Sequence, residues 1–195
     1  MRQFIRVCLA AFIALSTLLP LSTHAQNIAR DIPLEPVASL DIDRYMGLWY
    51  QIALYPNRFQ SQCVRNTTAL YERLPNGQVK VTNKCVLVGG AEDLAIGTAR
   101  PVGNVQGNTL SPPKLQVAFT PVWLNWLPFV WGNYWVIQLA DDYRYAVVSE
   151  PGRDYLWVLA RKPQLSAEDE AAIRSRLQQQ GFDLNRLQPH KQDVK

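Results

Sequence analysis

After residue 40, apolar and polar residues alternate along most of the chain, and Gly, Pro, Asn and Asp cut the alternation into short lengths. Alternation with a period of two puts every second side chain on one face of an extended segment, so each length reads as a half-buried strand. Strands are predicted at about 47–55, 65–73, 78–87, 93–100, 114–120, 133–139, 143–149 and 154–161. Pro75-Asn76-Gly77 supplies a tight turn, Gly89-Gly90 a second break, and Pro101 to Pro113 an irregular loop. Eight consecutive short strands with local connections suit an up-and-down antiparallel barrel, whose closure removes the exposed edges of a flat sheet. Periodicity alone leaves a two-sheet sandwich open.

The pattern changes after residue 165. Ser166 followed three residues later by Asp169 resembles a helix-capping box, and Ala172, Ile173 and Leu177 share one helical face. Gly181 supplies a left-handed stop, with Phe182 placed to fold back on the last turn. One helix is therefore predicted, packed outside the sheet. Leu40 to Met46 reads as a short helical turn capped by Asp41. At the start, Arg2 and Arg6 precede an apolar run from Val7 to about Leu21, then Ser22-Thr23-His24-Ala25. This is the pattern of an export signal over 1–25, too short for a comfortable membrane span. Residues 26–39 read as an extended leader, 40–190 as one domain and 191–195 as a polar tail. Cleavage leaves 170 residues, enough for one core.

Composition narrows the chemistry. The cleaved chain carries 18 basic and 16 acidic residues, a net charge of +2 with no basic stripe, which argues against a nucleic-acid partner. Of two histidines, His24 leaves with the signal and His190 lies in the polar end. A Ser-His-Asp triad, a Cys-His pair or a multi-histidine zinc site is hard to build from that, so no metal and no cofactor are expected. Cys8 lies at the start of the apolar run rather than after it and is not placed to carry a lipid anchor. Cys63 and Cys85 remain, an even pair in an oxidising compartment, which predicts a disulfide. A hairpin turning at Pro75-Asn76-Gly77 sets Cys85 opposite Thr67, however. Four extended residues span about 13 Å, so the bridge requires the chain before Thr67 to fold back.

Three marks carry a family resemblance: Gly47-Leu48-Trp49 opening the first strand, Asp141-Asp142-Tyr143 between strands six and seven, and Arg161 closing strand eight before the helix. In that order and spacing they resemble the lipocalins. Three longer stretches, LDIDRYMGLWYQIALYPNRF, NYWVIQLADDYRYAVV and DYLWVLARKP, are similar to bacterial outer-membrane lipocalins of the Blc type. The resemblance covers nearly all of 40–190 and implies the closed eight-stranded barrel. It implies that Trp49 lies across the closed end under Arg161, with Gly47, Asp142 and Tyr143 as further scaffold. It also implies an exported, non-catalytic carrier of a fatty acid or lysophospholipid in the periplasm or at the outer membrane.

Pocket residues follow from alternation. Trp49, Gln51, Ala53 and Tyr55 fall on one face of the first strand, taken as inward. Tyr134, Trp135, Tyr145 and Trp157 are further candidates, on strands whose inner face the pattern leaves open. Arg58 and Arg153 are expected near the mouth, where a cation suits a phosphate or carboxylate head. The loop Thr120 to Gly132 holds Trp123, Trp126, Phe129 and Trp131 and should lie at the open end. Three readings stand for it: an inward plug, a membrane-contact patch or gate, and a homodimer interface. Two rivals to the carrier are a lipocalin-fold enzyme of isomerase or epoxide type, with tyrosine, carboxylate or an unpaired Cys63 as its catalyst, and an envelope docking protein with a filled barrel.

Overall fold

Eight antiparallel strands close on themselves: β1 (Gly47–Leu54), β2 (Cys63–Arg73), β3 (Val79–Leu87), β4 (Glu92–Pro101), β5 (Lys114–Ala118), β6 (Gly132–Leu139), β7 (Tyr145–Ser149) and β8 (Leu156–Ala160). Each pairs with its sequence neighbour, and β8 pairs back onto β1 to complete the barrel. The computed structural model describes residues 33–193. The export signal read at 1–25, the leader up to residue 32 and the last two residues of the tail lie outside the described residues.

One end of the barrel is floored. The helical turn α1 (Ile42–Tyr45) is capped by Asp41, whose carboxylate accepts from the Arg44 amide at 3.1 Å. Beside it, Leu40–Asp41 pairs with Thr109–Ser111, which pairs with Asn104–Gln106. The connection from Pro101 to Pro113 is thus a small hairpin closing the floor, not the irregular loop expected from its Gly, Asn and Pro content. Leu40 and Leu110, at 2% and 0% exposure, are what it buries.

Two apolar clusters share the barrel wall. The inner one holds Trp49, Ala69, Tyr71, Val79, Val81, Ala99, Val136, Ala146, Val148 and Leu159. The outer one lies between the wall and helix α2 (Ala167–Gln179), joining Ile137, Val147, Leu156 and Val158 to Ile173, Leu177 and Phe182. Ser166 caps α2 by accepting from the Asp169 amide at 3.1 Å. Gly181 takes φ +79°, and the Phe182 amide donates to Leu177 O, the expected stop. Ala172 is exposed rather than core-facing; buried Asp169 takes the turn above Ile173 and accepts from Arg144 at 2.7–3.1 Å. These hydrogen bonds hold its carboxyl below the usual carboxylate range.

Bulges decide which residues face inward. Trp157 pairs with Leu54 and Val158 with Ala53, but Leu159 pairs with Gln51, so Ile52 is an extra residue in β1. A second bulge, at Ile137, sets Val147 opposite Gln138 and Val148 opposite Val136. In β2, the five-residue step from Cys63 to Thr68 spans only the three-residue step from Leu87 to Lys84, with Asn66 at φ +54°. This is the folding back that the disulfide requires, and Cys63 and Cys85 are bonded with a Cα separation of 5.6 Å. The C-terminal segment is docked over the same region: Gln188–Pro189 pairs with β1, and the His190 ring Nε2 lies 2.6 Å from Thr67 Oγ1.

Candidate functional site

The barrel interior is the candidate site, and its floor is built from the residues the sequence marked. Trp49 has no exposed area. Its indole N–H donates to Tyr45 O at 2.9 Å, and the Arg161 guanidinium lies 3.8 Å from its ring centre. Arg161 donates further to the carbonyls of Leu48, Arg44 and Met46 at 2.8, 2.6 and 2.9 Å, so one side chain ties α1 to the start of β1. Gly47 turns there at φ +92°, a conformation that opposes any Cβ. Tyr143, at φ +64°, points its hydroxyl back to accept from the Asp41 amide at 2.8 Å. Asp142 accepts from the Arg144 amide and guanidinium, fixing the turn.

Above Trp49 the three hydroxyls of Tyr45, Tyr71 and Tyr134 meet, with Tyr134 bridging the other two at 2.8 and 2.9 Å. Burial pushes Tyr71 up to about 12 and raises Tyr45 and Tyr134 well above the ordinary phenol value. The trio therefore stays protonated and neutral throughout the physiological range. The buried charged side chains among the described residues, Arg153 and Asp169, lie outside the barrel, Arg153 against the C-terminal end of α2 and Asp169 within α2 itself. An interior of tyrosine, tryptophan and aliphatic side chains without a buried charge suits an apolar guest.

Of the seven pocket candidates, Gln51, Tyr134 and Trp157 are on the inner face. The other four are corrected. The bulge at Ile52 turns Ala53 outward and brings Leu54 inward beside Trp157. Tyr55 follows Ala53 out: its ring packs 6.1 Å from Phe182 and its hydroxyl donates to Asp183 O at 2.8 Å. Trp135 and Tyr145 also pack in the outer cluster, on the helix side. Leu115 and Val117, not singled out in the sequence, join the inner cluster.

The two expected mouth cations part company. Arg58 is exposed at the open end, 5.1 Å from the Phe59 ring centre. Arg153 is 7% exposed and takes φ +60° in the turn between β7 and β8. Its Nε donates to Gln180 O at 2.8 Å, so it binds the C-terminal end of α2, where the helix dipole favours a cation. The headgroup role read for Arg153 does not fit that burial.

At the open end the loop between β5 and β6 forms two helical turns, Val122–Leu124 and Pro128–Val130. It does not plug the barrel: Trp123, Trp126 and Phe129 are 73, 77 and 80% exposed. Trp131 alone folds back, donating to Asn125 O at 2.8 Å with Arg100 4.0 Å over its ring. Phe119 lies against Gly97, where an added Cβ would sit 2.7 Å from the ring, so glycine makes room for it. Phe59, Val88 and Val122 extend the exposed apolar rim. The disulfide removes Cys63 as a free nucleophile. No cluster of potential metal ligands occurs among the described residues, and none of their helices is long and apolar enough to cross a membrane.

Residues 40–192 match the model of the lipocalin-like domain. The chain belongs to the lipocalin family. It is 34% identical over 155 residues to temperature-induced lipocalin-1 of Arabidopsis thaliana, covering 79% of this chain and 80% of the relative. It is 32% identical over 156 residues to the outer membrane lipoprotein Blc of Escherichia coli, covering 77 and 78%. Among solved structures, insecticyanin from the tobacco hornworm superimposes with a TM-score of 0.59 at 17% identity, over 83% of this chain and 85% of that one, a likeness of fold. Lipocalins bind small hydrophobic ligands and generally act as carriers rather than enzymes. This lipocalin joins the family's floor, Trp49 under Arg161, to a mouth that carries an uncharged, tryptophan-rich loop.

Proposed function

We propose that this lipocalin carries a single-chain amphiphile, a fatty acid or lysophospholipid, in the cell envelope, and takes up or releases it at a lipid surface. The observation that carries the reading is an inner wall of aromatic and aliphatic side chains, free of buried charge, closed at one end and rimmed with exposed tryptophans at the other. Leu115, Val117, Tyr134 and Trp157 line that wall and are still only half-buried, as side chains bordering unfilled space are. Each methylene moved out of water contributes about 0.8 kcal/mol, so an acyl tail binds there with few polar contacts. Arg58 is the exposed cation placed for a phosphate or carboxylate at the mouth. An export signal and a disulfide suit an oxidising compartment, in keeping with the outer-membrane lipoprotein named among the relatives.

The thirteen residues from Phe119 to Trp131 include no charged side chain. Tryptophan prefers the boundary between acyl chain and headgroup, and a rim seated in that boundary joins the mouth to the source of the ligand. Replacing Trp123 and Trp126 together by Ala is expected to weaken binding to phospholipid vesicles at least tenfold and to slow transfer of a fluorescent fatty acid from them. Thermal unfolding should be unchanged, since both side chains are exposed. Equal vesicle binding and transfer by the variant would contradict membrane exchange.

A further inference from the structure

We infer that Gln51 is a hydrogen-bond donor inside the barrel for an acceptor oxygen of the ligand, a carbonyl or carboxylate at the head of its acyl chain. This rests on the carrier reading and adds a polar specificity to it. Gln51 is 3% exposed and, paired with inner-facing Leu159 and two residues from Trp49, faces the interior. Its side chain is the inner end of a three-member chain. The Trp157 indole N–H donates to Gln60 Oε1 at 2.9 Å, and Gln60 Nε2 donates to Gln51 Oε1 at 2.9 Å. Gln51 Nε2 has no hydrogen-bond partner among the described residues.

The direction of this chain is forced by its first member. An indole N–H only donates, so Gln60 must turn its oxygen toward Trp157. That leaves the Gln60 amide nitrogen for Gln51, which must accept through its own oxygen. Turning either amide over would set two donors, or two acceptors, face to face. The N–H groups of Gln51 are therefore committed to the interior, where an unmet donor costs more than a hydrogen bond returns. A guest that brings an oxygen to Gln51 removes that cost; a guest that brings only methylenes or another donor does not. Gln60 belongs to the loop that also carries the exposed Arg58, so an acceptor at Gln51 lies below a headgroup at the mouth. In a lysophospholipid that is the place of the ester carbonyl, and in a fatty acid of the carboxylate.

The test compares 1-palmitoyl lysophosphatidylcholine with its 1-O-hexadecyl ether, which differs only in lacking the carbonyl, together with palmitate. The wild-type protein is expected to bind the ester about tenfold more tightly than the ether. Gln51→Leu should bind ester and ether alike, and a cooperative thermal unfolding transition recorded beside the titrations shows that the variant folds. Trp157→Phe, which frees Gln60 to turn, should narrow the ester preference. If Gln51→Leu weakens palmitate and wild type does not separate ester from ether, the acceptor is a free carboxylate and the inference stands in that form. Equal binding of ester and ether, with palmitate unaffected by Gln51→Leu, overturns the inference and leaves the carrier intact. Failure of wild type to bind any of the three overturns the carrier reading instead.

Discussion

Replacing Trp49 by Ala is expected to destabilise the protein by about 3–5 kcal/mol, the range for truncating a fully buried large aromatic residue. Trp49 has no exposed area, and its ring is sandwiched between Tyr45, 5.0 Å away, and the Arg161 guanidinium. Its loss opens a cavity in the floor, leaves Tyr45 O without the indole donor and deprives Arg161 of the aromatic face that covers it. Urea denaturation of wild type and variant checks this, with the midpoint shift read at constant slope. A loss under 1 kcal/mol would mean that the floor is held by the paired segments 40–41 and 109–111 instead. Arg161→Lys is the milder companion: one ammonium cannot reproduce the guanidinium fork that reaches three carbonyls.

The second large effect is at the other end of the barrel. Replacing Cys63 and Cys85 together by Ser is expected to cost about 3 kcal/mol. Their sequence separation is 22 residues, and releasing a loop of that size restores roughly that much chain entropy to the unfolded state. The bond also holds the double bulge of β2, on which the C-terminal segment docks through Asn66, Thr67 and His190. Faster amide exchange at Arg65 to Thr68 in the variant should therefore accompany the lower urea midpoint. Unchanged stability would assign the bulge to the backbone turn at Asn66 and make the bond incidental.

The elements of this fold are legible in the chain because turn residues and the change of period mark them locally. Faces are less so. Alternation is a running count, and one extra residue inverts everything after it. Trp49 and Gln51 precede the bulge at Ile52 and point inward as the count requires; Ala53 and Tyr55 follow it and do not. No residue type announces that bulge, which is fixed by pairing with a strand more than 100 residues later. Trp135 and Tyr145 face outward for a different reason. They are aromatic on strands that bury both faces, one against the interior and one against α2, and aromatic character does not tell these apart. The turn that holds Arg153 is legible in the chain but its contacts are not, because Gln180 and Phe182 reach it only once the helix has docked. The donor chain from Trp157 through Gln60 to Gln51 joins residues on two strands and a loop and leaves no local pattern. The floor, in contrast, is readable because Gly47, Trp49 and Arg161 stand in the order and spacing that carry the family resemblance.

Uptake of an acyl chain by the barrel is the claim on which the rest depends, and titration with an environment-sensitive fluorescent fatty acid addresses it directly. One probe should bind per chain with a blue-shifted emission, and unlabelled palmitate or lysophospholipid should displace it competitively. A probe that stays in water at micromolar protein, or one that binds and is not displaced by either lipid, would contradict the account.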